Sequence, residues 1–534
     1  MMHTTHHHFD KSHFTTWACL KLFILLSIFQ QSFSFEANAQ SKPNIVFIFA
    51  DDHDQMTISA YGNALLQTPN IDRIAKEGVV FKNSFCTNSI CAPSRAVILT
   101  GKHSHINGHK DNRPQTRFDS SQVTFPKLLQ KAGYTTALVG KWHLRSNPTG
   151  FDYWDIHDDQ GQYYNPDFIS VQGKRQLKGY STDITTDLAL NWLEKNKNSQ
   201  KPFLLMVQNK APHTPFYPHT KYLGLFDSIT VPEPNSLFDD YSQSITTLRD
   251  QEMTILEHMG PVGELKVERS VAKFYKIPGE GIHRDMYYDT VETGRMDKAD
   301  RLVWEKERMK RSIDYMTKNP KARNEIISWK YQQYIKDYMR CVVSVDENVG
   351  RLLDYLENNG LSKNTIIVYS SDQGFWLGQR GWFDKRWMYE QSMRMPLIIK
   401  WPGITKARFS ETLVQNLDYA PTFLEMAGIN IPAEIQGKSL VSILKNDKVK
   451  LNRDALFYQY FEYPQPHRVQ PHYGIRTERY KLIYFNGLNQ YELYDLKTDP
   501  SEINNLAAND AYSALLKEMK AKLEIEKKRY KVVE

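Results

Sequence analysis

Four short apolar runs that each lead into polar residues constrain the fold of this 534-residue chain more than any other feature. The first run is 44–50 (NIVFIFA), and Asp51 and Asp52 follow it directly. A continuous apolar run of this length is typical of a strand that is buried on both faces of a parallel sheet. The sequence therefore predicts a buried strand that ends in two adjacent carboxylates.

The other three runs are arranged in the same way. They are 135–140, which leads into Lys141 and His143; 203–207, which leads into Lys210 and His213; and 366–369, which leads into Asp372 and Gln373. In open α/β sheets, ligands bind beyond the carboxyl ends of the strands. We therefore expect these polar side chains to meet in one cleft.

Segments with helical spacing and end signals lie between the runs. They are 70–77, 125–132, 183–194 and 329–356. In the last segment, apolar and aromatic residues recur at spacings of three and four, and the sequence NNG at 358–360 ends it. Strands that alternate with helices predict an α/β fold in which helices cover a large sheet.

Two stretches depart from this pattern. Residues 220–325 are polar and rich in charge, and we interpret them as an insertion with short helices near the rim of the cleft. After 437, tyrosine-rich β segments predict a small antiparallel sheet, and a helix follows it. The segments are 456–461, 473–477, 480–485 and 491–495, with the helix at 511–530. We therefore predict a main domain at 40–437 and a C-terminal α+β subdomain at 438–534.

The first 39 residues have the features of a secretory signal peptide. A lysine-containing start leads to the apolar run 20–29 and then to ANA at 37–39, a small-x-small cleavage pattern. The apolar run is about half the roughly 20 residues that a membrane-spanning helix needs, so we favour cleavage over an anchor. Cys19 precedes the apolar run, which is the wrong side for a lipoprotein cysteine. No later segment has the pattern of a membrane span, and we expect a periplasmic or secreted protein.

The net charge and the number of cysteines exclude few classes of protein, and both are compatible with an exported protein. The formal net charge is +7, and cleavage after residue 39 removes two lysines and two acidic residues, so it stays unchanged. Such a charge suits a polyanionic substrate, although it is also that of an ordinary soluble surface. We expect no nucleic acid as partner. Three cysteines remain after cleavage, Cys86, Cys91 and Cys341, which are too few for a disulfide framework.

The sequence CAPSR at 91–95, continued by AVILTG at 96–101, resembles the signature of the formylglycine-dependent sulfatases. In that family, the cysteine of C-x-P-S-R is oxidised to formylglycine, whose hydrated aldehyde is the nucleophile. The resemblance covers most of the chain. It implies an alkaline-phosphatase-like mixed sheet sandwiched by helices, with a smaller C-terminal antiparallel sheet plus helix. It also implies a divalent metal ion, and a formylglycine-generating or anaerobic sulfatase-maturating enzyme as partner.

Cys91 would lie in a place that favours this chemistry. Pro93 suits the first turn of a helix that Arg95 continues, so residue 91 would lie where backbone N–H groups and the helix dipole favour an anion. One hydroxyl of the hydrated aldehyde attacks sulfur and is sulfated, and deprotonation of the other expels sulfate. Without its flanking sequence, Cys91 could equally be a buried apolar residue, half of a disulfide or an activated thiolate.

The resemblance assigns roles to further residues. Arg95 and Lys141 stabilise the formylglycine, and His143 takes the proton in the elimination. His213 contacts the sulfate and can protonate the leaving oxygen, whereas Lys385 binds the sulfate. Lys141 and His143 are two apart, which in extended chain points both side chains to one side. A Lys-x-His pair elsewhere would more often be a surface feature.

Oxygen ligands dominate the expected metal site. Asp51, Asp52, Asp372 and Gln373 offer only oxygen, which hard cations such as calcium prefer and zinc does not, and Cys91 as formylglycine joins them in the family. We predict Ca²⁺, with Mg²⁺ as the second choice. A lone Asp-Asp pair would more often be a solvated strand end. The family most often has Asn or His at the position of Gln373, whose amide oxygen can still coordinate a cation.

Three classes of function remain open. We favour an exported sulfatase. A phosphatase or phosphodiesterase of the same superfamily would normally have Ser or Thr as nucleophile and a His-rich site for two zinc ions, and this chain lacks that set. A noncatalytic sugar-binding relative would have lost one or more of the site residues, and none is lost.

The substrate class follows only from resemblance. NSI at 88–90, GKWHL at 140–144 and YYNP at 163–166 resemble bacterial polysaccharide sulfatases close to the N-acetylglucosamine-6-sulfatases of glycosaminoglycan breakdown. Sulfatases of algal polymers such as ulvan are the alternative. Asp384, Arg386 and His472 are candidates for contacts to the sugar, although a rim charge or a cross-domain salt bridge explains each equally well.

Overall fold

A computed structural model describes residues 1–6, 42–62, 66–242, 244–245, 247–279 and 282–532, with only the backbone at 282–284. The chain divides into two units, Met1–Lys42 and Pro43–Glu534. From residue 7 onward, the predicted signal peptide falls outside the described residues, and it stays a prediction. Every element described below belongs to the second unit.

The second unit is built on a large mixed sheet. In chain order, the strands are β1 (Asn44–Ala50), β2 (Val79–Phe81), β3 (Ser84–Phe85), β4 (Thr135–Gly140), β5 (Tyr153–His157), β6 (Asp167–Ser170), β7 (Gly173–Gln176), β8 (Phe203–Gln208), β9 (Thr365–Ser371), β10 (Leu397–Lys400), β11 (Arg408–Ser410), β12 (Val414–Gln415), β13 (Leu456–Tyr460), β14 (His472–Arg476), β15 (Tyr480–Phe485) and β16 (Gln490–Asp495). The large sheet has ten strands in the order β11-β2-β10-β9-β1-β8-β4-β5-β6-β7. The prediction of a mixed α/β sheet is confirmed.

The centre of this sheet is parallel. β1 lies between β8 and β9 and runs parallel to both, and β4 and β5 continue in the same direction. β8 and β9 are buried along their whole length, as continuous apolar runs require. Because these strands are parallel, their carboxyl ends lie at one edge of the sheet. The four predicted strands are confirmed, with β8 and β9 slightly longer than predicted.

Helices cover the sheet. In chain order, they are α1 (Pro69–Ala75), α2 (Cys91–Thr100), α3 (Ser104–Asn107), α4 (Phe125–Lys131), α5 (Ser181–Asn196), α6 (Thr247–Asp250), α7 (Arg269–Phe274), α8 (Ile282–Arg295), α9 (Lys298–Lys318), α10 (Arg323–Asn358), α11 (Glu390–Met393), α12 (Tyr419–Met426), α13 (Val441–Lys445) and α14 (Ser513–Arg529). α10 packs against α1 and α5, and it begins six residues before the predicted start.

The insertion contains longer helices than the short ones that we predicted. α9 alone has 21 residues, yet it buries only five of them, and two of these are arginines. Its other large apolar residues, such as Leu302, Met309 and Ile313, are exposed and lie among charged residues, so hydropathy did not reveal the helix. β5, β6 and β7 were not predicted either, because they are short and β7 is exposed at every position.

A second, antiparallel sheet follows at the C-terminal end of the chain. β13, β14, β15 and β16 pair in sequence order, and α14 packs on one face. Leu482 and Leu493 of the sheet share an apolar cluster with Leu523 of the helix. These elements are the predicted antiparallel sheet and helix. The domain boundary between 437 and 438 stays a prediction.

Two further observations concern the apolarity of the helices and the pairing of the three cysteines. None of the helices in the described ranges is long and apolar enough to cross a membrane. Cys86, Cys91 and Cys341 are all buried and unpaired with one another.

Candidate active site

The parallel strand ends bring the predicted acidic and amide residues together. Asp51 and Asp52 follow β1, whereas Asp372 and Gln373 follow β9. The Asp52 backbone N–H donates to Asp372 Oδ1 at 3.1 Å, and Gln373 Nε2 donates to Asp52 Oδ1. Asp52 has a φ of 64°, an unfavourable value for a residue with a Cβ. The hydroxyl of Tyr338 donates to the Asp52 carbonyl at 2.6 Å and stabilises this conformation.

These side chains form a buried oxygen-rich cluster. Asp51, Asp52 and Asp372 each place one carboxylate oxygen within 4.8 Å of the other two. Among the described residues, Asp51 Oδ1 and Gln373 Oε1 are buried without a hydrogen-bond partner. A buried acceptor without a partner costs free energy, and a divalent cation shared by the three carboxylates would satisfy Asp51 Oδ1. The NH₂ group of Gln373 faces Asp52 and Cys91, so its amide would turn over to offer the oxygen to a cation. The donor set therefore fits a hard cation.

The protonation of the cluster depends on its burial. Burial, followed by the negative charge of Asp51, raises the pKa of Asp372 to about 8. Burial also raises the pKa of Asp52 to about 6, against the opposing effect of Lys385. For Asp51, burial is outweighed by cationic neighbours, of which Lys141 has the largest effect, and the pKa lies well below its usual value. A bound cation would favour the ionised form of all three carboxylates.

Cys91 lies beside this cluster as the first residue of α2. Its side chain is 1% exposed, and Gln373 Nε2 lies 3.6 Å from its Sγ. The helix begins directly after Ile90, whose extended backbone forms the N-cap. Burial, followed by the charge of Asp51, raises the pKa of Cys91 to about 12. The unmodified thiol is therefore protonated at neutral pH and is a weak nucleophile.

Arg95, one turn further along α2, connects three strand ends. Its Nε donates to Asp372 Oδ2 at 3.1 Å, and one terminal nitrogen lies 3.0 Å from the same oxygen. The other terminal nitrogen donates to the Lys141 carbonyl at 2.6 Å and to Gln208 Oε1 at 2.9 Å. The guanidinium lies 4.9 Å above the ring of Phe49. Arg95 is thus a fixed cation next to the acidic cluster.

Lys141 and His143 both contact Gln160, although the backbone at His143, with a φ of 58°, is not extended as the sequence argument assumed. Lys141 Nζ forms an ion pair with Asp51 and donates to Gln160 Oε1 at 2.5 Å. His143 Nε2 lies 3.0 Å from Gln160 Nε2. Burial, followed by the charge of Lys141, lowers the pKa of His143 well below its usual value. His143 is therefore a neutral imidazole that can accept a proton.

His213 and Lys385 meet at the carboxylate of Asp52. His213 Nε2 lies 3.7 Å from Asp52 Oδ2, and Lys385 Nζ donates to the same oxygen at 2.6 Å. Burial, followed by the charge of Lys141, lowers the pKa of His213 well below its usual value. Although burial acts to lower the pKa of Lys385, Asp52 and other acidic neighbours hold it well above its usual value. Lys385 is therefore a permanent cation in the site.

Comparison with known proteins identifies the family of this chain. A family model described as Sulfatase matches residues 43–429, and one described as N-sulphoglucosamine sulphohydrolase, C-terminal, matches residues 378–529. The chain belongs to the sulfatase family. As a sulfatase, it is a sulfuric ester hydrolase.

Two relatives of this sulfatase align along nearly its whole length. The N-acetylglucosamine-6-O-sulfatase of Bacteroides thetaiotaomicron is 45% identical over 525 residues, which cover 95% of this chain and 91% of that protein. A solved structure of a protein in complex with its substrate D-glucosamine-2-N,6-O-disulfate has 46% identity and a TM-score of 0.86, and covers 92% of this chain and 98% of that chain. An ulvan-active sulfatase of Formosa agariphila is 26% identical, covering 90% and 80% of the two chains.

Two of the three predicted sugar-contact residues flank Lys385 of the sulfatase. An Arg386 terminal nitrogen and the backbone N–H of Lys385 both contact Asp384 Oδ1, and His467 Nε2 lies 3.1 Å from Asp384 Oδ2. Arg386 Nε lies 3.6 Å from Glu462 Oε2. The structure thus places Asp384 and Arg386 next to the catalytic candidates, in a buried ion-pair network. Their contact with sugar stays a prediction.

His472 of the sulfatase lies in a different environment. Its side chain is 1% exposed, and its ring stacks on those of Trp387, Tyr458 and Tyr460. Its Nδ1 lies 2.8 Å from the carbonyl of Gln470. These are the contacts of a core residue of the second sheet. A role of His472 in sugar binding is a prediction that these contacts do not support.

Several contacting residues of the sulfatase site were missed at the level of sequence. They are Gln160, Gln208, Tyr338, Glu462 and His467. Gln208 ends β8, so its position at a strand end was a usable signal. Tyr338 lies on the apolar face of the predicted helix 329–356, although its contact with Asp52 was not predicted. Gln160, Glu462 and His467 lie in loops, where nothing in the local sequence distinguishes them from surface residues.

Proposed function

We propose that this sulfatase removes the 6-O-sulfate from N-substituted glucosamine residues of saccharides derived from glycosaminoglycans. The observation that carries the proposal is the position of Cys91, at the start of a helix and beside a buried acidic cluster that is surrounded by cationic side chains. The substrate class is supported by two relatives. One is named for N-acetylglucosamine-6-O-sulfate, and the other holds glucosamine with sulfate at the 2-N and 6-O positions. Ulvan is the less favoured substrate, because the ulvan-active relative is only 26% identical to this chain.

Three buried cations would act on the reacting groups: Lys385 would bind the sulfate, and Arg95 and Lys141 would stabilise formylglycine. Arg95, Lys141 and Lys385 are at least 97% buried and are each paired with a carboxylate of the cluster. If a divalent cation shared those carboxylates, Lys385 could also turn its donors toward the sulfate oxygens, and Arg95 and Lys141 could turn theirs toward residue 91. Fixed donors in a site that excludes water stabilise the charge that develops on these oxygens in the transition state. A buried Lys or Arg therefore contributes more here than it would on the surface.

Two histidines would move protons. His143 is neutral in the free protein and can take a proton from residue 91 during the elimination. His213 is also neutral in the free protein. An anionic sulfate ester bound next to it would raise its pKa, because an opposite charge favours the protonated form. His213 would then donate its proton to the leaving oxygen of the sugar.

The metal and the modified residue complete the proposal. Asp51, Asp52, Asp372 and Gln373 would hold Ca²⁺, with Mg²⁺ as the second choice, and Cys91 would lie beside it. When bound, the cation supplies positive charge to the sulfate group. Formylglycine formed from Cys91 would supply the hydroxyl nucleophile that a protonated thiol does not. Because Cys91 is 1% exposed, we expect a formylglycine-generating or anaerobic sulfatase-maturating enzyme to act before the chain has folded. Export to the periplasm or the medium is also part of the proposal.

The test combines mass spectrometry with a substrate panel. We expect the peptide that contains residue 91 to have the mass of the aldehyde in active protein. We expect sulfate release from glucosamine-2-N,6-O-disulfate and N-acetylglucosamine-6-sulfate, and little from ulvan oligosaccharides. Cys91→Ala should lower kcat/KM by roughly 10³-fold or more, as loss of a nucleophile does in other hydrolases. Cys341→Ala, a buried cysteine of α10, is the matched control and should retain activity. Full activity of Cys91→Ala would refute the proposal.

A further inference from the structure

Gln160 makes contacts that the proposed reaction does not yet use. It lies in the loop after β5, between the two side chains of the Lys-x-His motif. Gln160 Oε1 accepts from Lys141 Nζ at 2.5 Å, while Gln160 Nε2 lies 3.0 Å from His143 Nε2. The Gly161 N–H donates to the Asp158 carbonyl at 3.0 Å, which closes a turn around Gln160.

The conformation of this turn is fixed. Gly161 has a φ of 70°, and a Cβ there would lie 2.7 Å from the ring of His157. A residue with a side chain would therefore displace the turn at that position. His157 is itself buried in β5. The backbone thus presents Gln160 to Lys141 and His143 in one orientation.

The donors and acceptors around Gln160 define the state of His143. An ammonium group only donates, so the amide oxygen of Gln160 must face Lys141 and its NH₂ group must face His143. His143 Nε2 then accepts a hydrogen bond, and the proton of the neutral ring lies on Nδ1. Nδ1 is buried and has no hydrogen-bond partner among the described residues, so no other contact there imposes a tautomer.

We propose that Gln160 is a positioning residue, which sets the spacing of Lys141 and His143 and selects the tautomer in which His143 Nε2 is the basic nitrogen. The inference rests on the proposed function, because that function makes His143 a proton acceptor. When Nε2 takes a proton from residue 91, its bond to the Gln160 NH₂ group breaks. Asp159 Oδ1, 3.6 Å from Nε2 and half exposed, then receives the new N–H.

Other charged groups act on the same ring. Lys141, Arg95 and Arg145 disfavour the protonated form of His143, whereas Asp51 favours it. Asp159 also favours it through its carboxylate. Gln160 carries no charge, so it acts on the His143 ring only through a directional hydrogen bond. A variant of Gln160 therefore separates orientation from net charge.

Steady-state kinetics of two Gln160 variants would test the inference. Gln160→Leu removes both hydrogen bonds, and we expect kcat to fall by about 10- to 100-fold with a smaller change in KM. Gln160→Glu keeps the contact to Lys141 but can only accept at His143. It should move the acid limb of the kcat/KM profile about one pH unit upward, because a nearby carboxylate favours the protonated ring. Gln162→Leu, in the same loop, loses only a contact with the Asp167 N–H and should behave as wild type.

The histidine tautomer gives a readout that does not depend on activity. In the full-length protein with ¹⁵N-labelled histidine, assigned with His143→Asn, we expect His143 to carry its proton on Nδ1 at neutral pH. Gln160→Leu should give a mixture of tautomers with an unchanged melting temperature. A proton on Nε2 in the wild type, or unchanged kcat in Gln160→Leu with active wild type, would overturn the inference. Wild-type protein without sulfatase activity would instead refute the proposed function, and the tautomer would still be measured.

Discussion

At the scale of single residues, the site combines carboxylates that are buried together and yet differ in protonation. Without a cation, Asp51 is ionised because Lys141 and Arg95 lie next to it, whereas Asp372 has a pKa of about 8. A divalent cation would compete with the protons on Asp52 and Asp372. Metal binding and pH must therefore be linked in this protein.

Calcium should stabilise the protein more strongly as the pH rises from about 6 to about 8. Asp52 and Asp372 have folded pKa values of about 6 and about 8, above the usual pKa of an aspartate, so the metal-free folded chain binds protons that the unfolded chain releases. The free energy of unfolding of metal-free protein should therefore fall as the pH rises from about 4, where an unfolded aspartate titrates, to about 8. A fixed Ca²⁺ concentration that is 100 times the Kd at pH 8 should add about 2.7 kcal/mol there, and less at pH 6, where protons on Asp52 and Asp372 weaken binding. Thermal unfolding with and without a chelator at several pH values measures both effects.

Two variants control this measurement. Asp51→Asn removes an ionised ligand and should abolish most of the stabilisation by Ca²⁺. Asp119→Asn changes an exposed loop carboxylate and should leave it unchanged. Stabilisation by Ca²⁺ that is equal in Asp51→Asn and in wild type would contradict the assignment of the metal site.

At the scale of elements, α10 links the insertion to the catalytic centre. Tyr338 of this helix donates to the Asp52 carbonyl, and the neighbouring Asp337 binds the insertion through a buried ion-pair network. Arg311 makes two contacts with the Asp337 carboxylate, at 2.7 and 2.8 Å, and Arg340 makes another at 2.8 Å. Lys266 lies 3.4 Å from the same carboxylate. Asp337 is thus the carboxylate that these three buried cations share, while Arg311 also pairs with Glu307 and Arg340 with Asp227.

Replacement of Asp337 by alanine should destabilise the protein strongly. Burial acts to raise the pKa of Asp337, but Arg311 and Lys266 hold it below its usual value, so the residue is charged at neutral pH. Asp337→Ala leaves three buried cations without their shared anion, and we expect a loss of about 3–5 kcal/mol in unfolding free energy. Denaturant titration at pH 7 measures it.

Asp354→Ala in the same helix is the matched control. Its side chain is 61% exposed and pairs with Arg73 at 2.8 Å. An exposed ion pair contributes less than about 1 kcal/mol, so this variant should remain close to wild type. Equal losses for the two variants would show that helix α10, rather than the buried network, determines the effect.

The same elements show what the sequence could and could not predict. β1, β4, β8 and β9 were predictable, because full burial requires continuous apolar runs and the functional residues follow them directly. Gln160 was not predictable, because a polar loop residue has the same local sequence whether it faces solvent or His143. Such contacts depend on the pairing of β5 with β4, and no local pattern encodes that register.

At the scale of the whole molecule, the two sheets share one apolar core. Phe47 of β1 belongs to the same buried cluster as Tyr458 of β13 and Phe485 of β15. The hydroxyl of Tyr458 lies 2.6 Å from Ser89 Oγ, just before the helix that carries Cys91. The predicted boundary between 437 and 438 therefore crosses a core, not a flexible linker. A core shared in this way predicts that the two sheets unfold together.

Leu493→Ala tests whether the two sheets unfold together, because it perturbs the face of the second sheet that packs against α14. Leu493 is fully buried between β16 and α14, in a cluster separate from the large core, and its truncation should cost about 2–5 kcal/mol. If the sheets unfold together, calorimetry should show one transition, and the temperatures of unfolding and of activity loss should fall by the same amount. Leu488→Ala, in the exposed turn of the same sheet, should change neither. Two transitions, of which only the lower moves in Leu493→Ala, would mean that the C-terminal sheet is an independent folding unit.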